Sequence, residues 1–209
     1  MIDLYTWTTP NGRKVSILLE ELGVDYTVHP INIMQDDQMA PDFLKIGPNN
    51  KIPVIVDRDA GKSIMESGAI MIYLAEKYGK FLPADPGGKA EVLEWLMWQM
   101  GGFGPILGQA HHFLHFQPGK GEYVENRFRT EVRRLYGVLN TRLEGRDYIC
   151  DTYSIADMAC WPWASRYEWQ QIDLADFPNV RAWYQRLLAR EAVQKGYHVP
   201  KVVGEIPLG

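Results

Sequence analysis

A single break, 81-FLPADPGGK-89, divides this chain into two parts with different hydrophobic periods. Its two prolines and two glycines suit a linker better than a helix or a strand. Before it, strand and helix signals alternate; beyond it, only the helical period recurs. The pattern predicts a small α/β unit at residues 1–80, a linker at 81–89 and an all-helical unit at 90–209.

In the first unit, 2-IDLYT-6 reads as a strand. Val15, Leu18, Leu19 and Leu22 then recur at helical spacing, an amphipathic helix closed by Gly23. The stretch 25-DYTVHPI-31 is β-rich, and 41-PDFLKIG-47 suits a short helix opened by Pro41. The nearly continuous apolar run 52-IPVIVD-57 reads as a strand, with 63-SIM-65 pairing back across the Asp59–Gly61 turn. Ile70, Tyr73, Leu74 and Tyr78 give 66-ESGAIMIYLAEKYG-79 a helical face. The order β-α-β-α-β-β-α makes a small mixed sheet with helices on its faces.

The second unit is patterned for helices throughout. Val124, Phe128, Val132, Leu135, Tyr136, Leu139 and Leu143 form one apolar stripe over 122–144. In 154-SIADMACWPW-163, Ser154 and Asp157 are spaced for a capping box, with Tyr153 and Met158 placed for a hydrophobic staple. A last helix opens near Pro178 and buries Val180, Trp183 and Leu187. The glycines of 101-GGFGPILG-108 either bend the helical run or admit a close neighbouring backbone.

Composition narrows the partners. With 46% hydrophobic and 23% charged residues, the 209-residue chain can bury a sizeable core. A formal charge of −4 and a pI near 5.7 argue against general nucleic-acid binding, which needs a basic face. The basic residues are interleaved with acids, which disfavours electrostatic attachment to a membrane surface. There is no basic start followed by an apolar stretch, and no run approaches the ~18 apolar residues of a membrane span, so a soluble, cytoplasmic protein is expected. Cys150 and Cys160 form neither a disulfide framework nor a CxxC site.

Three short stretches carry candidate chemistry. In 8-TTPNGRKVSI-17 a strand turns into a helix whose first N–H groups attract negative charge, and the turn offers hydroxyls and an amide but no thiol, imidazole or carboxylate. In 49-NNKIPVIVD-57 a proline leads an apolar strand. It is either a trans proline at a strand's first residue or a cis Ile52–Pro53 bond that turns the Ile52 backbone outward toward an extended peptide ligand. In 65-MESGAI-70, Ser67 opens a helix as an anion site, and Glu66 beside it can accept from an ammonium group; an ordinary N-cap with a solvated glutamate is the alternative.

Together these stretches resemble the glutathione transferases. NKIP, ESGAI and the S-x-A-D helix start carry the resemblance over nearly the whole chain, and TPNG is most similar to the nu-class bacterial disulfide-reducing enzymes and the related yeast nitrogen-regulation prion proteins. The resemblance implies an α/β N-terminal thioredoxin-like domain, an all-α C-terminal domain and a homodimer. It implies that Ile52, ahead of a cis Pro53, pairs with the cysteinyl backbone of glutathione, and that Glu66 and Ser67 hold the γ-glutamyl end. Lys51 matches a basic position near the glycyl carboxylate, Gln38 a further contact, and Arg127 an arginine brought to the ligand from the helical domain. Thr9 and Asn11 match the donors to the glutathione sulfur.

The anion at the first turn is then a thiolate brought by the ligand. A free thiol of pKa about 8.5 is roughly 3% ionised at pH 7. Lowering it by ~2 units takes about 2.7 kcal/mol, within reach of one or two charge-assisted hydrogen bonds and a helix N-terminus. The resemblance implies glutathione-dependent disulfide reduction without an enzyme cysteine or a metal, with weaker peroxide reduction and conjugation of electrophiles. A conjugating detoxification transferase and a glutathione-binding regulator are the alternatives, although the long Asn/Gln-rich extension expected of the regulator is missing. His111 and His115 stand one helical turn apart without a third metal ligand, and suit a pocket lining or the surface better. Cys160 suits the core, whereas Cys150 is expected to be partly exposed; Trp161, Trp163 and Trp169 suit helix packing.

Overall fold

The computed structural model describes residues 1–209, in two compact units. The first comprises Met1–Leu82 together with Ala189–Ile206, and the second Pro83–Leu188 together with Pro207–Gly209.

In the first unit the strands β1 (Ile2–Thr6), β2 (Tyr26–Pro30), β3 (Val54–Asp57) and β4 (Lys62–Met65) form one sheet in the order β2-β1-β3-β4. β1 runs parallel to β2 and antiparallel to β3, and β4 returns antiparallel to β3. Alternation along β1 puts Ile2, Leu4 and Thr6 on a fully buried face. On the other face, Tyr5 stacks on His29 at 4.5 Å, while Asp3 accepts from His29 Nε2 at 2.9 Å and pairs with Arg58.

Three helices fill out the chain order: α1 (Pro10–Leu22), α2 (Pro41–Ile46) and α3 (Ser67–Tyr78). α1 ends as its sequence predicts, on Gly23 at φ 67°, whose N–H bonds the carbonyls of Leu19 and Glu20. It is not one-sided, however: every residue from Gly12 to Leu19 is buried. The extra cover comes from the far end of the chain, where α9 (Glu191–Tyr197) packs on α1. Ser16 Oγ donates to the Gly196 carbonyl at 2.6 Å, and Arg13 Nε to that of Tyr197 at 3.0 Å with its guanidinium 3.5 Å over the Tyr197 ring. A methyl group on Gly196 would stand 2.6 Å from the Ile17 backbone, so only glycine admits this approach. Ala189–Ile206 thus belongs to the first unit, a departure from the simple division at the linker.

The second unit holds α4 (Pro86–Trp98), α5 (Gly104–Ala110), α6 (Glu122–Arg142), α7 (Ile155–Ala164) and α8 (Pro178–Leu188). Asp85 Oδ1 caps α4 by accepting from Gly88 N–H at 2.7 Å, so the Pro-Gly-Gly expected in the linker is the first turn of a helix. The glycine-rich interruption is a π-helical turn, Gln99–Phe103, and a second such turn follows at His111–Phe116. Gly108 admits a side chain, since a methyl group there would lie 3.2 Å from the Trp163 indole, while one on Gly104 would lie 2.4 Å from the Gln99 side-chain amide and 3.2 Å from its carbonyl. Every residue of α7 is buried. No helix is long and apolar enough to cross a membrane.

Candidate functional site

Strand register explains why three separated stretches share one edge of the sheet. Tyr5 of β1 stands opposite Val54 of β3, and Val54 opposite Met65 of β4. The chain leaving β1 toward Thr9, the chain entering β3 through Pro53 and the chain leaving β4 into Glu66 are therefore neighbours. The Ile52–Pro53 peptide bond is cis. Pro53 is buried, Ile52 half-buried and Lys51 exposed.

Thr9 is the N-cap of α1, with Pro10 in the first helical position. Its Oγ1 accepts from Gly12 N–H at 3.2 Å, which fixes the hydroxyl and leaves its hydrogen to donate. Gly12 is required there, because a methyl group would come within 2.3 Å of the Trp7 carbonyl. Asn11, in the first turn, is half-buried like Thr9.

The start of α3 is built differently. Glu66 sits at its N-cap with φ 70° and ψ 113°, a backbone conformation that costs a non-glycine residue about 1–3 kcal/mol. Its side chain makes no capping bond; Oε1 accepts instead from Asn49 Nδ2 at 3.2 Å, tying the segment before Pro53 to this helix start. Ser67 is only 4% exposed, and its Oγ accepts from Lys14 Nζ at 3.4 Å. Lys14, on α1, is itself 1% exposed. Neither Asn49 nor Lys14 was among the candidates read from the sequence. Lys14 lies outside the apolar spacing of α1, and nothing local to that pattern reveals that α3 covers it.

The remaining candidates are more exposed. Gln38 lies in the 3₁₀ turn Asp37–Met39, half-buried, with Nε2 donating to Asp36 Oδ1 at 3.3 Å. Arg127 is an exposed residue of α6 in the second unit; the Arg134 hydrogen bond and, last, the charge of Arg127 lower the pKa of Glu131.

Other polar groups find structural partners. His111 is buried, and its Nε2 meets Gln170 Nε2 at 3.0 Å; Tyr136 donates to the oxygen of the same amide at 2.6 Å. Burial, then the positive charges of Arg166 and His115, push the His111 pKa down to about 3, so the ring is neutral and accepts. His115 stacks on Trp169 at 4.4 Å. No group of three or more His, Cys, Asp or Glu residues is placed to hold a metal ion. Cys160 is 0% exposed and Cys150 only 3%, contrary to the partial exposure expected of it. Burial, reinforced by Asp157 and Glu91, pushes the Cys150 thiol up to about 12.

Known proteins match along the whole of this architecture. Residues 4–86 match the glutathione S-transferase N-terminal domain, and residues 103–191 the C-terminal domain. The chain is 48% identical over 198 residues to the disulfide-bond oxidoreductase YfcG of Escherichia coli K12, covering 92% of each. A glutathione transferase from Burkholderia graminis, solved with two glutathione molecules per subunit, superposes with a TM-score of 0.90 at 42% identity, covering 96% of this chain and 88% of that one. One from Pseudomonas putida, solved with one glutathione disulfide per subunit, gives 0.89 at 42% identity, covering 95% and 91%.

Proposed function

Because the chain belongs to the glutathione S-transferase family, we propose that it is a glutathione-dependent disulfide-bond reductase whose working thiol is brought by glutathione itself. The observation that carries this reading is the burial of both cysteines, 3% and 0% exposed, in the unit that does not contain the Thr9 turn. An enzyme that formed a mixed disulfide through its own cysteine would need an accessible thiolate of low pKa.

In the proposed complex, glutathione lies extended along Ile52 and Pro53, with its γ-glutamyl ammonium at Glu66 and its α-carboxylate at Ser67 and the start of α3. Lys51 and Gln38 flank the glycyl end, and Arg127 is a further proposed contact. The sulfur faces the Thr9 hydroxyl and the Asn11 amide. Their hydrogen bonds favour the thiolate over the thiol. That thiolate attacks a sulfur of the substrate disulfide; the S–S bond breaks, the other sulfur leaves as a thiolate and takes up a proton, and a glutathionyl mixed disulfide remains. A second glutathione thiolate displaces the remaining thiol and yields glutathione disulfide. Two glutathiones are oxidised for each disulfide reduced, and catalysis consists of positioning and thiolate stabilisation. The solved relatives that hold two glutathiones or one glutathione disulfide support a site of this capacity. A cytoplasmic homodimer is part of the same proposal and rests on the family resemblance.

The test is glutathione-dependent reduction of a small mixed disulfide by wild type and by the Cys150→Ala/Cys160→Ala double variant, run beside conjugation of chlorodinitrobenzene. Turnover of the disulfide that survives loss of both cysteines, and exceeds conjugation, is the expected result. Disulfide turnover abolished in a folded double variant would overturn the thiol-free mechanism. Conjugation as the dominant activity would make the protein a detoxification transferase, and glutathione binding without turnover would make it a regulator.

A further inference from the structure

We propose that Lys201 and Trp7 form a charge-selective wall beside the thiol turn, favouring disulfides whose second half, the one outside the glutathione site, carries a carboxylate. The inference rests on the binding mode proposed above and narrows the class of disulfide it serves.

The course of the last residues of the first unit carries it. α9 and the segment after it run along α1 toward its N-terminal end, in three successive contacts. Gly196 lies against Ile17 and Ser16, Tyr197 against Arg13, and Lys201 against Trp7, two residues ahead of the Thr9 cap. Lys201 Nζ stands 4.4 Å from the centre of the Trp7 ring, and all of these residues belong to the first unit. The Trp7 carbonyl accepts from Thr9 N–H at 2.7 Å, so the ring is carried by the same tight turn as the Thr9 hydroxyl. A segment outside any helix or strand thus delivers an ammonium to the turn that the glutathione sulfur faces.

That turn has no charge of its own. The stretch 6-TWTTPNG-12 contains no ionisable side chain, and the first turn of α1 has no acidic residue. Of the two cations that follow on α1, Arg13 bonds the Tyr197 carbonyl and Lys14 is buried against Ser67. Lys201 is exposed, and its ammonium rests on an aromatic face instead of in an ion pair. An ammonium held this way still has hydrogens to donate to an arriving anion. Trp7 is half-buried, and the open part of its ring offers apolar contact to methylenes and sulfur. A disulfide bound through one glutathionyl half puts its other half next to the sulfur site, beside this pair.

A lysine that only pins the tail to Trp7 would stabilise the protein without sorting ligands, so the test varies ligand charge. Calorimetric titration, without free glutathione, compares the mixed disulfides of glutathione with 3-mercaptopropionate, 2-mercaptoethanol and cysteamine. Their second halves are anionic, neutral and cationic. Wild type is expected to bind the anionic one about 3- to 20-fold more tightly than the cationic one, with the neutral one between, as suits an exposed charge-assisted contact. In Lys201→Met the ligands are expected to fall within about 2-fold of one another, since the charge is gone and the stem remains. Lys201→Glu is expected to invert the order and Lys201→Arg to keep it. Trp7→Leu, checked for folding by its thermal midpoint, is expected to weaken every ligand; undiminished binding would remove Trp7 from the wall. The wild-type order persisting in Lys201→Met, or a wild type that binds all of the ligands alike, would overturn the role of Lys201 and leave the glutathione site standing. A wild type that binds none of them would overturn the glutathione site itself.

Discussion

The starts of α7 and α3 are opposite solutions to one problem. At α7, Ser154 Oγ accepts from Ala156 N–H at 3.3 Å, while Asp157 Oδ2 reaches back to Ser154 N–H at 3.0 Å. Asp157 Oδ1 takes two more donors, Ile149 N–H and Trp183 Nε1, each at 2.9 Å. With the Ser154 hydroxyl donating to Oδ2 at 3.3 Å, four donors from within the protein answer a fully buried carboxylate. At α3 the N-cap is a glutamate at φ 70° with no capping bond and no acidic residue follows in the first turn. The first arrangement closes a helix end and stabilises the fold. The second gives up a cap worth about 1 kcal/mol and accepts backbone strain, at the helix end that the proposed complex assigns to the γ-glutamyl carboxylate. α1 is intermediate, with Thr9 taking the Gly12 N–H and keeping a hydrogen to donate.

If that contrast is right, Asp157→Ala has the largest effect. It strands buried donors on Trp183, Ile149 and Ser154 and is expected to cost about 3–5 kcal/mol in urea unfolding, with unchanged glutathione affinity in the molecules that remain folded. A loss below about 1 kcal/mol would break the contrast from the α7 side. Glu66→Gly should do the reverse. Relief of the positive φ, offset by the entropy of glycine, is expected to leave stability equal or up to ~1 kcal/mol higher, while glutathione binds at least about 10-fold more weakly. Calorimetry beside thermal melts measures both, and lower stability with intact binding would make Glu66 an ordinary structural cap.

The smallest effect sharpens the rule by moving it into the first unit. Asp57 is fully buried and accepts from Tyr73 Oη at 2.6 Å, from Lys77, and from the Asp59 and Ala60 N–H groups at 3.1 and 3.3 Å. Burial alone would raise its pKa; the bonds from Lys77, Tyr73 and Ala60 and the charge of Lys77 outweigh it and hold the carboxyl at about 2, below the ordinary 3.8. A depressed folded pKa contributes stability that is fully present above the unfolded value and is lost as pH falls through the folded one. Unfolding midpoints of wild type should therefore fall between about pH 4 and pH 2, and those of Asp57→Asn should fall less over the same window. Parallel profiles would show that saturation of Asp57 does not depend on its charge.

Local chemistry in this chain is legible from its sequence, and remote cover is not. The capping box at Ser154, the Gly23 stop, the strand pairing of 52–57 with 63–65 and the separate helical unit all rest on residues close together in the chain. Arg13 and Lys14 fall on what the spacing of Val15, Leu18, Leu19 and Leu22 marks as the polar side of α1, yet both are buried. The groups that bury them, Tyr197 and Ser67, lie 184 and 53 residues away. Cys150 shows the same limit, since its polar surroundings in sequence, 144-EGRDY-148, say nothing of the helices that cover it. The glycines at 101–108 announced a close approach; at Gly108 the neighbour that came close, the Trp163 ring, belongs to a helix about 55 residues on.

The clasp between α9 and α1 has a consequence for how the protein is made. Synthesis runs from the N-terminal side, so the turn at Thr9 and the helix behind it emerge well before α9. Yet Arg13 and Ser16 of that helix find their partners only at Tyr197 and Gly196, 184 and 180 residues further along the chain. The Thr9 turn thus leaves the ribosome long before the helix behind it is completed. Until then the nascent α/β unit carries an uncovered helix face through the synthesis of almost the entire helical domain.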